Sequence, residues 1–307
     1  MKKAFKIFLN LTIFLLIIVF VWYMAISIGR DNTQERIGVD NTDEPFESPY
    51  RQGASFDLPE EINRFELYGD KLFVSAGQSV YVLDTEGELI TSFSVEPAVS
   101  DIAFADEAIY LLYPTRISVY SADGQALRQW EACSELSDYC SFTIAGDAVF
   151  VTDAENKNIS KYTTEGDFVK FINSPRGFII PSYSFDIDVW NDTVYCVNSG
   201  RHSVETYTLN GDFIAAFGSS GFEAGSFAGC CNPVYISFTP CGTLIASEKG
   251  NPRVSIFERN GKFKEVWLNN KMLGSGNKAC EVKANEKNLF VAVKNRIICF
   301  KKDTNQT

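Results

Sequence analysis

Histidine occurs once in the 307 residues, as His202, so no metal centre that needs several imidazoles can be built. There is no C-x-x-C pair, which excludes a thioredoxin-type redox motif. G-x-S-x-G, the P-loop and H-E-x-x-H are all missing, and with them the simplest signatures of hydrolases, NTPases and zinc proteases. Lysine and arginine form no cluster past the first few residues. The whole chain carries 28 basic and 39 acidic residues, and beyond Arg30 the balance is 24 to 39. A protein that grips a phosphate backbone needs the opposite sign, so nucleic acid is excluded as a partner and a solvated acidic surface is expected.

Long apolar runs are scarce too: there is one, at residues 7–28, broken only by Asn10, Thr12 and Ser27. As a helix it measures about 33 Å at 1.5 Å per residue, enough for a bilayer core of about 30 Å. Lys2, Lys3 and Lys6 precede it, which holds residues 1–6 in the cytoplasm and sends the rest across. The run exceeds the 7–15 residues usual for a signal-peptide core, so an uncleaved signal-anchor is preferred over a cleaved leader. The expected protein is a single-pass cell-membrane protein, extracytoplasmic beyond the span. Residues 29–50 are polar and acidic and read as a flexible stalk.

What is abundant is repetition. An acid-Gly or Asn-Gly turn recurs in "LDTEGEL", "YSADGQAL", "YTTEGDFV", "YTLNGDFI" and "FERNGKFK", with its glycine at 87, 124, 166, 211 and 261. Alternating strands flank each turn, the strongest short-range hairpin signal, because glycine takes the positive φ that a tight turn requires. A second hairpin precedes each of these. Four strands every 40–50 residues is the spacing of a β-propeller blade, and no segment past residue 30 sustains a helical period. A sixth unit, "CEVKANEKNLFVAVKNRIICFKKD", has only three strands. The segment "YRQGASFDLP" (50–59) can supply the fourth, closing the ring and removing its open edges. The fold class is therefore all-β: a six-bladed β-propeller over 51–307 with an N-terminal transmembrane anchor helix.

The unit "NPVYISFTPCGTLIASEKGNPRVSIFERNGKF" resembles the NHL repeat through Asn232-Pro233, Pro240 with Gly242, Arg253-Val254 and Gly261-Lys262-Phe263. The match is clearest over 205–263 and weak over the other blades. It implies a six-bladed propeller of the NHL type and no particular activity, since the fold hosts lyases, hydrolases and binding modules alike. Amidating lyases of this fold hold zinc with three histidines, which this chain cannot supply.

Eight cysteines in an exported chain raise the question of disulfides first. Cys230 and Cys231 stand just before the inner strand of blade five. An offset of 45 residues between blades five and six matches Cys280 with Tyr235 on the same, top face. Three readings stay open: a staple from the pair, through Cys231, to Cys280; a vicinal Cys230–Cys231 bond; or a soft metal ion or cofactor on Cys230, Cys231 and Cys280. Cys133 and Cys140 suit a local loop-closing disulfide. Cys196 and Cys299 lie inside strands as buried thiols, and Cys241 falls in a turn on the opposite face.

Arg201 and His202 of blade four, and Glu248, Lys249 and Arg253 of blade five, fall in loops on the face that carries Cys230. With Asn232 and Pro233 they form the expected surface for a protein or small-ligand partner. Asp101, Asp186 and Asp188 sit on inner strands and could serve a calcium ion in the channel, although no matching acid is found in blades five or six. Asn158, Asn191 and Asn305 fit the glycosylation pattern. The leading expectation is a binding or assembly module, with no cofactor assigned. One alternative is a redox or metal-binding component of a membrane electron-transfer or maturation system. The other is a divalent-metal hydrolase or lyase.

Overall fold

The computed structural model describes residues 12, 14–22 and 46–303. Residues 12 and 14–22 are helical and exposed. Among the described residues no helix is long and apolar enough to cross a membrane. The rest of the expected span 7–28, the tip 1–6 and the stalk as far as residue 45 lie outside the described residues.

Twenty-four strands form six separate four-stranded antiparallel sheets. Blade one is β2 (Ile62–Tyr68), β3 (Lys71–Ala76), β4 (Ser79–Asp84) and β5 (Leu89–Ser94). Blade two is β6 (Asp101–Ala105) to β9 (Ala126–Glu131), and blade three is β10 (Tyr139–Ala145) to β13 (Phe168–Ile172). Blade four runs from β14 (Ile187–Trp190) to β17 (Phe213–Phe217), and blade five from β18 (Tyr235–Phe238) to β21 (Phe263–Leu268). Blade six has β22 (Val282–Ala284), β23 (Asn288–Val293) and β24 (Arg296–Lys302), with β1 (Tyr50–Asp57) as its outer strand.

The ring closes as its hydrogen-bonding needs demand. β1 pairs antiparallel with β24, from Tyr50 opposite Lys302 to Asp57 opposite Arg296, so β24 is covered and strands from both ends of the propeller close the ring within one blade. The stalk accordingly ends earlier than residue 50. Ser48 donates to the Trp267 carbonyl at 2.5 Å, and the Tyr50 ring lies 5.0 Å from that of Trp267.

Burial follows the pleat and the layer. The second strand of a blade is covered on both faces, so β7 (Ala108–Tyr113) and β11 (Ala148–Asp153) are buried at every position. One apolar cluster fills each of the six blade–blade interfaces. Burial of this kind stabilises by about 25 cal/mol per Å² of apolar surface. The recurrent turn glycine has a second role there. Gly87, at φ 91°, leaves no room for a Cβ because Phe56 of β1 presses against it, and Gly261, at φ 87°, is met the same way by Phe217 of blade four. Each turn thus seats a side chain from the outer strand of the blade before it. That Phe56 does this for blade one identifies β1 as a true blade strand.

Candidate functional site on the top face

Within each blade the strands alternate in direction. The loops that enter a first strand, and those joining second to third, therefore open on one face, the top. At that end of the channel every blade contributes one residue to a ring: Arg64, Asp101, Ser141, Asp186, Tyr235 and Glu281. Arg64, 8% exposed, is the hub. Its Nε donates to Asp101 Oδ1 at 2.9 Å, and its Nη2 to Asp101 Oδ2 at 3.1 Å, Asp186 Oδ1 at 2.7 Å and Ser141 Oγ at 3.3 Å. Glu281 Oε1 is 3.4 Å from Nε, and the guanidinium carbon sits 4.8 Å from the centre of the Tyr235 ring.

The three carboxylates come from alternate blades, and each also accepts from the next blade's backbone. Phe142 N–H donates to Asp101 at 3.1 Å, Ile236 N–H to Asp186 at 2.7 Å and Phe65 N–H to Glu281 at 3.0 Å. Two residues further along the inner strands, Lys283 pairs with Glu66 at 2.9 Å, while Asp188 receives the Thr143 hydroxyl at 3.5 Å. Burial works against the charge on Arg64, but Asp101, Glu281 and Asp186 outweigh it and hold the group charged. Burial raises the Glu281 and Asp188 carboxyls to about 7, despite the opposing charges of Arg64 and Lys283 on the former and Lys283 on the latter.

This ring corrects the calcium expectation. Asp101 and Asp186 are engaged by Arg64, and Asp188 lies a layer away from them. Blade six does carry an acid at the matching place, Glu281. The turn between β22 and β23 is one residue shorter than its counterpart in blade five, so the inner-strand offset is 46 and Glu281, not Cys280, stands level with Tyr235. A cavity of about 320 Å³ opens above the ring, with Arg64, Tyr139, Ser141, Ser182, Asp186 and Tyr235 in its wall.

Cys230 and Cys231 lie beside this cavity, in the loop that enters β18. Cys230 is exposed, Cys231 is 3% exposed, and their sulfurs are 2.7 Å apart. Asn232, fully buried, anchors the loop. Its amide donates to the carbonyls of Ala228 at 2.6 Å and Lys249 at 2.9 Å, and its oxygen accepts from Lys249 N–H at 2.9 Å. The Asn232–Pro233 bond is cis. Glu248, also buried, accepts from Ala228 N–H at 3.1 Å and binds Arg253 at 2.6 Å. Arg253 in turn donates to the Ser226 and Glu223 carbonyls at 2.5 and 3.1 Å. His202 Nε2–H donates to the Gly229 carbonyl at 2.6 Å. Lys249 Nζ donates to Ser182 Oγ, in the cavity wall, at 2.7 Å.

The expected top-face cluster is thus brought together in part and given a different job. Asn232, His202, Glu248 and Arg253 spend their polar groups holding the cysteine loop instead of facing a ligand. Arg201 does not join them: it donates to the carbonyls of Arg176 and Gly177. Cys280 is buried in the core between blades five and six, with its N–H on Ser247 Oγ at 3.3 Å, so no staple runs to it from Cys231. All eight cysteines are free thiols. Cys133 lies 3.8 Å from Ser160 Oγ, and Cys140 donates to the Asp138 carbonyl at 3.7 Å, so the expected local disulfide is not formed. Among the described residues no three His, Cys, Asp or Glu side chains group so as to hold a metal ion, the trio Cys230, Cys231 and Cys280 included. Of the glycosylation candidates, Asn158 is buried, Asn191 is exposed in a turn, and Asn305 lies outside the described residues.

The two thiols of the pair differ. Burial pushes the Cys231 thiol up, but hydrogen bonds from Cys230 and Ser182 and the Lys249 ammonium outweigh it, and its pKa falls below the ordinary value. Cys230 moves the other way, chiefly through its hydrogen bond to Cys231.

The fold defines the class: a six-bladed β-propeller. No protein-family model matches this chain, and none of the curated proteins does. Solved structures do match. The chain is similar to virginiamycin B lyase from Staphylococcus aureus, with TM-score 0.57 and 14% identity over 82% of this chain and 99% of that one. It is also similar to the Pan2 WD40 domain of Neurospora crassa, with TM-score 0.58 and 7% identity over 84% and 97% of the two chains. A protein of unknown function from Bacteroides thetaiotaomicron matches with TM-score 0.57 and 11% identity over 83% and 74%. At these identities the likeness is one of fold.

Proposed function

We propose that this chain is a membrane-anchored, extracytoplasmic β-propeller of the NHL type that works as a binding or assembly module through its top face. One observation carries the reading. The charged groups of the channel are partnered with one another, and what stays open is a polar cavity of about 320 Å³ beside a loop held by buried side chains. A concave, pre-formed surface with convergent polar groups suits recognition. The apolar run at 7–28 with its preceding lysines supports the anchor and the orientation.

Two measurements test this. Cys133, Cys230 and Cys241 are exposed thiols, so a membrane-impermeant maleimide should label them on intact cells. Labelling that requires lysis would refute the orientation. Photo-crosslinkers placed at the exposed top-face residues Tyr183 and Phe222 should give discrete, saturable adducts. One at Asn260, in a turn on the opposite face, should not. Equal capture from both faces would refute the top-face assignment.

A further inference from the structure

The loop 226–233 is held far more tightly than a connecting loop needs to be. Buried Asn232 and Glu248, together with Arg253 and His202, fix the backbone at Ser226, Ala228 and Gly229, immediately before two adjacent cysteines. The result is one sulfur in solvent and one buried beside it at 2.7 Å, with the bonded pair of Ser182 and Lys249 acting on the buried one. Neither thiol belongs to an apolar cluster between blades, and neither reaches a third sulfur. From this geometry we propose that Cys230 and Cys231 form a two-electron thiol–disulfide exchange site whose co-reactant is an incoming disulfide. This goes beyond the binding reading, since a propeller can bind through its top face without exchanging anything.

The exchange runs in two balanced steps. The Cys230 thiolate attacks one sulfur of the incoming disulfide. A mixed disulfide forms, and the other sulfur leaves as a thiolate that takes up the proton Cys230 gave. The Cys231 thiolate then attacks Cys230 Sγ. The Cys230–Cys231 bond forms, the second thiolate leaves, and it is protonated in turn. The pair loses two electrons and the co-reactant gains them as two thiols. The chain assigns the steps by position: only Cys230 is open to the incoming group, and Cys231 sits within reach of its sulfur. Lys249 and the Ser182 hydroxyl favour the Cys231 thiolate, which suits it to the second step. A bond closed between adjacent residues departs from relaxed disulfide geometry, and such bonds are the readily reduced ones. The site can therefore run in either direction, according to the thiols that reach it.

The test uses the full-length chain in detergent, equilibrated either with oxidised and reduced glutathione or with an oxidised thioredoxin-fold disulfide oxidase. Samples are acid-quenched, labelled with maleimide and mapped by mass. The expected result is joint loss of label at Cys230 and Cys231. Reaction with glutathione points to small disulfides as the source, and reaction with the oxidase alone to protein disulfides. Cys231→Ser should trap Cys230 as a mixed disulfide, whereas Cys230→Ser should react at least about tenfold more slowly. Lys249→Gln keeps both sulfurs and should slow closure of the vicinal bond by roughly three- to tenfold at pH 7, with the gap narrowing at higher pH. A pair that stays fully labelled with both oxidants overturns the proposal. So does independent loss of the two labels, a Cys230→Ser variant that reacts like the parent, or thiols blocked by a co-purified metal that a chelator releases.

Discussion

The channel ring and the Cys230 loop are both dense polar constructions near the same end of the propeller, but their contacts finish differently. In the ring, every charge ends on another group of the protein, and the contacts run from blade to blade around the whole circumference. In the loop, the contacts are confined to blades four and five and end on a sulfur in solvent. Polar density alone therefore does not mark a functional site. The ring is a way of joining six inner strands, whose buried donors and acceptors need partners. The loop spends buried side chains on positioning a group that the fold does not need.

The most severe way to break the comparison is Arg64→Met. Three buried carboxylates would lose their common cation, and losing one partner of such a set costs about 3–5 kcal/mol. Denaturant unfolding should show that loss, while alkylation of Cys230 under native conditions stays unchanged. Asn232→Ala should reverse the pattern. The loop would lose three hydrogen bonds and leave buried backbone groups unpaired, at about 1–3 kcal/mol. Cys231, buried in the parent, should then become open to alkylation. A variant that unfolds more easily but keeps Cys231 protected would count against the anchoring role.

The smallest expected effect is on pH dependence, and it belongs to the ring. The Asp188 and Glu281 carboxyls rise from 3.8 and 4.5 to about 7 in the folded chain. A raised carboxyl binds more protons folded than unfolded, so stability falls as pH rises from about 4 to about 7 and levels off above that. The melting temperature should decline over that window. Asp188→Asn should make the decline shallower, and an unchanged slope would remove Asp188 from the account.

The repeat was legible from residue types alone because turn chemistry and strand alternation are local. Gly87 and Gly261 bend where an acid-Gly or Asn-Gly pair stands, and Gly242 fills its turn the same way. The closing strand was legible as well, since blade six ends one strand short and residues 50–59 stand just before blade one. The neighbourhood of His202, Glu248 and Lys249 with the cysteine pair followed from counting residues between blades. The partners of those side chains did not, because a loop's hydrogen bonds depend on where neighbouring loops lie in space.

By itself the sequence determined the blade count, the closure of the ring, the acidic surface and the placing of the cysteine pair at the entry to blade five. These depend on spacing and on the φ preferences of single residues. Only the tertiary structure decided that Arg64 gathers acids from three blades, that Cys280 stands apart from Cys231, and that Asn232 and Glu248 hold the cysteine loop. The contacts involved span 17 positions from Asn232 to Lys249, 122 from Arg64 to Asp186 and 216 from Phe65 to Glu281, and a one-residue difference in a turn was enough to exchange Glu281 for Cys280. Local chemistry sets the repeat, and the ring that brings its six copies together sets the partners.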